Sequence, residues 1–117
     1  MSFELDATTL LSDIVENIDR IQSYLLGLDR GAFERDSRTQ DAVERCLQRI
    51  CEAAARLGDR AAELMPAQPW SEIRGMGNHL RHAYDRLSLD IVWDVVARDL
   101  PELASDAREA LKALEQA

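Results

Sequence analysis

The sequence predicts an all-α protein, an antiparallel four-helix bundle with additional short helices, in a single domain over residues 1–117. Three observations predict it. Apolar residues recur at intervals of three and four through most of the chain. Three prolines and five glycines are too few for the turn density of a small β-sandwich. No alternating strand–helix pattern, internal repeat or long linker interrupts the periodic segments. With 117 residues, 46% hydrophobic and 31% charged, the chain has material for one core and not for two.

From Leu10 to Leu26 the positions Leu11, Ile14, Val15, Ile18, Ile21 and Leu25 form one apolar stripe, with Thr8, Thr9 or Ser12 able to cap its start and Gly27 to end it. LDRGAFERDSRTQ is charged and aperiodic, and reads as a connection with Phe33 tucked inward. A second helix is predicted from about Thr39 to Leu57, with Val43, Cys46, Leu47, Ile50, Ala54 and Leu57 facing the core and Gly58 stopping it. Its other face carries Glu44, Arg45, Gln48, Arg49, Glu52 and Arg56, interleaved charges that read as a solvated surface. A short helix near Arg60–Met65 ends at Pro66 and Pro69. WSEIRGMGNHLRHAYDRLS, LDIVWDVVARDL and PELASDAREALKALEQ then complete the bundle, with Pro101 early in the last helix, where its missing N–H matters least.

A formal charge of −8 makes the average surface repel nucleic acid and anionic membrane, so a site for RNA has to be local. No run of about 18 apolar residues is present, and MSFELDATTL lacks the layout of a secretory signal. A cytoplasmic protein with no membrane association is therefore expected. Cys46 and Cys51 lie about 140° apart around a continuous helix, so two reduced, buried thiols are expected rather than a disulfide. No zinc-ligand spacing occurs, and no metal or other cofactor is expected.

Residues 69–88 stand apart. This window holds both histidines and three of the 14 basic residues but only two of the 22 acidic ones, the reverse of the balance elsewhere. At about 100° per residue, Ile73, Met76, Leu80, Ala83, Tyr84 and Leu87 share a core-facing arc. Arg74, Asn78, Arg81, His82 and Asp85 fall on the opposite arc within roughly 100°, so their polar ends can converge on one ligand. Histidine moves protons near neutrality, and arginine binds phosphate oxygens. Arg81 and Asp85 also read as an ordinary i, i+4 ion pair, and His79 as an incidental exposed residue at the edge of the face. Gly75 and Gly77 would each cost a helix about 1 kcal/mol relative to alanine. Either the helix begins at Asn78, or something approaches the backbone closely there.

At MGNHLRHAYD, preceded by PWSEIRG and followed by DIVWDVVARDLPEL, the chain resembles the HepT-like ribonuclease toxins of the HEPN superfamily. DIVENIDRIQSYLLGL and TQDAVERCLQRICEAAARLGD resemble the first two helices of that family, so the likeness extends in order to the last helix. The resemblance implies a bundle of HEPN type, a homodimer, and a metal-independent endoribonuclease site at the dimer cleft. It maps the motif histidine to His82 and the polar residue after the motif arginine to Asn78. Tyr84 maps to the acceptor of AMP groups added by a MntA-type nucleotidyltransferase, the antitoxin of a type VII toxin–antitoxin system. The motif arginine should stand five residues before His82, where this chain has Gly77. Arg81 and Arg74 are the remaining candidates for that cation, with Asp85 in support. A Gly77→Arg substitution is expected to raise activity if the missing cation limits it.

RNA cleavage through its own 2′-hydroxyl needs a proton removed, a leaving oxygen protonated and charge on the phosphorane neutralised, tasks that His82 and a neighbouring arginine suit. One histidine is thin for two proton transfers, and a second copy across a twofold axis supplies another. Tyr84 lies on the apolar arc, where it either packs or presents its hydroxyl at the rim. Two readings stay open: an RNA-cleaving toxin neutralised by AMPylation, or a non-catalytic HEPN module that dimerises and docks a nucleotidyltransferase or RNA.

Overall fold

The computed structural model describes residues 3–81 and 88–116. Its elements are α1 (Phe3–Leu25), α2 (Arg30–Glu34), α3 (Ser37–Leu57), α4 (Asp59–Leu64), α5 (Trp70–Arg81), α6 (Leu89–Asp94), a π-helical turn (Val95–Asp99) and α7 (Leu100–Glu115). No strand occurs among the described residues. The four long helices α1, α3, α5 and α7 form the bundle; α1 packs on both α3 and α7, and α3 packs on α5.

The apolar stripes decide this arrangement. Leu11, Ile14, Ile18 and Ile21 of α1 are wholly buried, and so are Val43 and Leu47 of α3. Ala104 and Ala107 are the small buried residues through which α7 joins the same core. Each buried Leu or Ile contributes about 1.5–3 kcal/mol of transfer free energy, which is what holds such amphipathic helices together. Cys46 and Cys51 are free thiols buried in α3. Gly27 (φ 82°) and Gly58 (φ 58°) take the left-handed conformation just past the ends of α1 and α3, where a side chain would be strained.

The charged segment after Gly27 is more ordered than its lack of periodicity suggests. Asp29 accepts a hydrogen bond from the Ala32 amide (2.8 Å) and starts α2, a helix too short to display a period. Phe33 is wholly buried, with its ring 5.5 Å from that of Trp93. The buried Gln40 donates to the Phe33 and Glu34 carbonyls at 2.9 and 3.1 Å, satisfying the end of α2. Helix α3 starts two residues before the predicted position, capped by Asp36, which accepts from the Thr39 hydroxyl (2.6 Å) and the Thr39 amide (3.1 Å). Those bonds, the hydroxyl's first, hold its carboxyl below the ordinary value.

The segment between α4 and α5 is pinned from both sides. Trp70 donates its indole N–H to the Met65 carbonyl at 2.9 Å, and Gln68 donates to Asp106 of α7 at 2.7 Å. Arg108 of α7 pairs with Asp19 of α1 at 2.7 Å, and Arg30 of α2 pairs with Asp90 of α6. The last two predicted helices join through the π turn. Pro101 cannot donate to the carbonyl of Ala97, and its ring crowds that oxygen, so the helical register slips just before the proline.

Candidate functional site

The glycine ambiguity resolves in favour of close approach. Helix α5 runs unbroken from Trp70 through Gly75 and Gly77. A Cβ at Gly75 would meet nothing within 4 Å, whereas one at Gly77 would stand 2.9 Å from Cys51 Cβ and 3.7 Å from its sulfur. Gly77 is therefore a point of close approach between α5 and α3, and any side chain there has to push the two helices apart. Gln48 of α3 donates to the Leu80 carbonyl at 3.2 Å, fixing the last turn of α5 against the same helix.

The predicted faces of α5 hold within the described residues. Leu80 is buried, and Ile73 and Met76 pack half-buried against the core. Arg74 and Asn78 are exposed, and the continuous helix puts them on one face about 6 Å apart along its axis. Arg81 closes the helix, about 10 Å beyond Arg74. His82, Tyr84 and Asp85 lie outside the described residues. His79 is exposed, as expected, at the rim of a largely apolar groove of about 360 Å³ between α5, α6 and α7.

A larger groove, of about 780 Å³, lies along α1 and α3 and reaches Gly77 and Cys51. Its α3 wall is the charged face bearing Arg45, Gln48, Arg49, Glu52 and Arg56, which looks in sequence like an ordinary solvated surface. Its α1 wall bears Asp13, Glu16, Asn17 and Arg20. Arg20 is paired with Glu16 at 3.1 Å, which raises its pKa, and Arg45 donates to Gln48 at 3.1 Å. Arg49 and Arg56 have no ion-pair partner among the described residues. Asn17 is only 7% exposed and donates to the Asp13 carbonyl at 2.8 Å, but its Oδ1 has no donor. The signal for this groove was present in the i, i+3, i+4, i+7 spacing of the α3 charges, which shows that they share a face but not what stands opposite.

Among the described residues no group of three or more His, Cys, Asp or Glu side chains is placed to hold a metal ion. No helix among them is long and apolar enough to cross a membrane. The groove offers four arginines and two amides beside three carboxylates, and α5 adds the exposed Arg74 and Asn78; the cationic members are suited to gripping a phosphate.

Comparison with known proteins agrees with this chemistry. A family model described as "Ribonuclease HepT-like" matches residues 14–110. A Methanocaldococcus jannaschii protein whose name gives it an inferred RNase activity is 30% identical over 94% of this chain and 91% of its own length. A Thermococcus cleftensis protein named as a probable ribonuclease HepT is 34% identical over 80% of this chain and 84% of its own. A Caldanaerobacter subterraneus protein, likewise named for an inferred RNase activity, is 28% identical over 87% and 91%. No solved structure gives a significant match. With the family model covering residues 14–110, this all-helical protein belongs to the ribonuclease HepT-like family.

Proposed function

We propose that the chain is a single-domain, homodimeric, cytoplasmic endoribonuclease toxin of a type VII toxin–antitoxin system, cutting RNA without a metal at the cleft between two copies. The family match over residues 14–110 carries the reading. The basic, histidine-bearing window at residues 69–88 of an otherwise acidic chain supports it. In this reading His82 accepts the proton of the 2′-hydroxyl as that oxygen attacks phosphorus. The 5′-oxygen then leaves with a proton from the second copy's imidazole, giving a 2′,3′-cyclic phosphate and a 5′-hydroxyl. Arg81 and Arg74 neutralise the equatorial oxygens of the phosphorane, with Asn78 and Asp85 orienting the groups around them.

Neutralisation runs through Tyr84 and a MntA-type nucleotidyltransferase antitoxin. AMP attached there adds bulk and negative charge beside the phosphate-binding face, which excludes RNA by sterics and repulsion. The test is incubation of the purified, unmodified dimer with RNA, followed by analysis of the ends produced. Cyclic phosphate ends that disappear in His82→Ala support the assignment, and undiminished cleavage by that variant rejects it.

Gly77 favours a second reading. Its contact with Cys51 leaves no room for the motif arginine in the present packing, as expected of a HEPN module that binds RNA or a nucleotidyltransferase without cutting. Such a module retards RNA on a gel and leaves it intact.

A further inference from the structure

Resting on the reading of RNA as the substrate, we propose that the α1–α3 groove is a track for the RNA phosphodiester backbone, gripped by Arg49 and Arg56 from the outer face of α3. The charge distribution is the first argument. The chain carries eight more acidic than basic residues, yet this groove gathers four arginines against three carboxylates. Two of the four, Arg49 and Arg56, stay without an ion-pair partner among the described residues although acids abound on the surface. Exposed guanidinium groups along one wall suit an extended anion, because each presents a planar fork to a phosphate oxygen pair.

Asn17 is an independent pointer. Buried polar atoms are ordinarily hydrogen-bonded, and the Oδ1 of this groove residue is buried without a donor. A base amino group is a donor of the kind it lacks, and single-stranded RNA presents its bases unpaired.

Gly77 ties the groove to α5. The cavity extends to Gly77, where that helix shows bare backbone to α3, so a strand lying in the groove ends beside α5. Arg49 and Arg56 on α3 thereby add backbone contacts to those that Arg74 and Arg81 of α5 make at the reacting phosphate. A second copy of the chain is the weaker occupant, since the walls are charged along their length and the centres of stable protein interfaces are depleted of charge.

The test is fluorescence anisotropy with a labelled 2′-O-methyl RNA oligonucleotide, which cannot be cleaved, titrated with the wild-type chain, Arg49→Ala/Arg56→Ala and Arg98→Ala. Arg49 and Arg56 are exposed, so their removal leaves the core intact, and Arg98 is exposed on the π turn away from the groove. Each single-strand phosphate contact contributes a log–log salt slope of about 0.7, so the double variant should bind more weakly with a slope shallower by about 1.4. Its deficit relative to wild type should shrink about sevenfold between roughly 50 and 200 mM KCl. An unchanged slope overturns the proposal, as does an equal loss in Arg98→Ala, which would make the effect one of net charge. A change in oligomeric state without a change in RNA affinity also overturns it, by making the groove a contact between copies. Cleavage of ordinary RNA by the wild-type chain is read in parallel. Groove-dependent binding without cleavage retires the nuclease reading alone, and cleavage with groove-independent binding retires the track alone.

Discussion

Replacing Gly77 by alanine tests the packing on which the site depends. The new Cβ would sit 2.9 Å from Cys51 Cβ, while carbon atoms prefer about 3.5–4.0 Å, so α5 and α3 must separate by roughly 0.6–1 Å or distort. Overpacking of this kind costs about 1–3 kcal/mol. The same substitution gains about 1 kcal/mol from the higher helix propensity of alanine, leaving a net change between about zero and 2 kcal/mol destabilising. Gly75→Ala supplies the reference, because it takes the propensity gain and meets nothing within 4 Å. The two variants should therefore differ by about 1–3 kcal/mol, a large share of the 5–15 kcal/mol typical of a domain. Urea unfolding followed by tryptophan emission measures both, since Trp70 is buried and Trp93 packs on Phe33. Equal stabilisation by the two alanines would refute the close approach. Gly77→Arg carries the same Cβ and should unfold at lower urea than wild type, so restoring the motif arginine alters the packing as well as the charge.

Phe33→Ala should cost about 3–5 kcal/mol in the same urea measurement, because the ring is wholly buried and packs at a tilt against Trp93; a cost under 1 kcal/mol would return residues 28–36 to the status of a loose connection. Asp36→Ala should lower the unfolding midpoint at neutral pH by removing the α3 cap. The folded-state pKa of Asp36 is depressed, so its contribution is present above the unfolded value of about 3.9 and is lost as pH falls through the lower folded one. Wild type and Asp36→Ala should therefore converge in acid, and a difference that persists there would assign the cap's effect to something other than its charge.

Long amphipathic stripes made most of this fold legible. Ile14, Ile18 and Ile21 repeat through about two turns, and their burial needs no knowledge of what they pack against. Helix α2 escaped because five residues cannot display a period of 3.6, although Asp29 and Asp36 are both acidic caps standing three residues before the amides they bind. The π turn escaped for a different reason. Pro101 announces an early helical position, but whether the preceding helix breaks or slips its register depends on the packing around it.

The site was legible only on one side. The polar arc of α5 follows from spacing alone, and Arg74 and Asn78 occupy the exposed face it predicts. The α3 face could not be told from ordinary solvated surface, because a helical wheel gives the direction of a side chain and never its neighbour. Gly77 is where the two problems meet. In sequence it is a missing arginine; in the fold it is a contact with Cys51, 26 residues earlier, that no local pattern encodes. Close approach of two helices removes side-chain volume from the seam and brings the flanking side chains of each helix nearer to the backbone of the other. The geometry that forbids an arginine at position 77 is thus the same geometry that carries the groove of Arg49 and Arg56 up to α5. If that coupling holds, widening the seam with Gly77→Ala should weaken the salt-dependent part of RNA binding along with stability, whereas Gly75→Ala should change neither the slope nor the affinity.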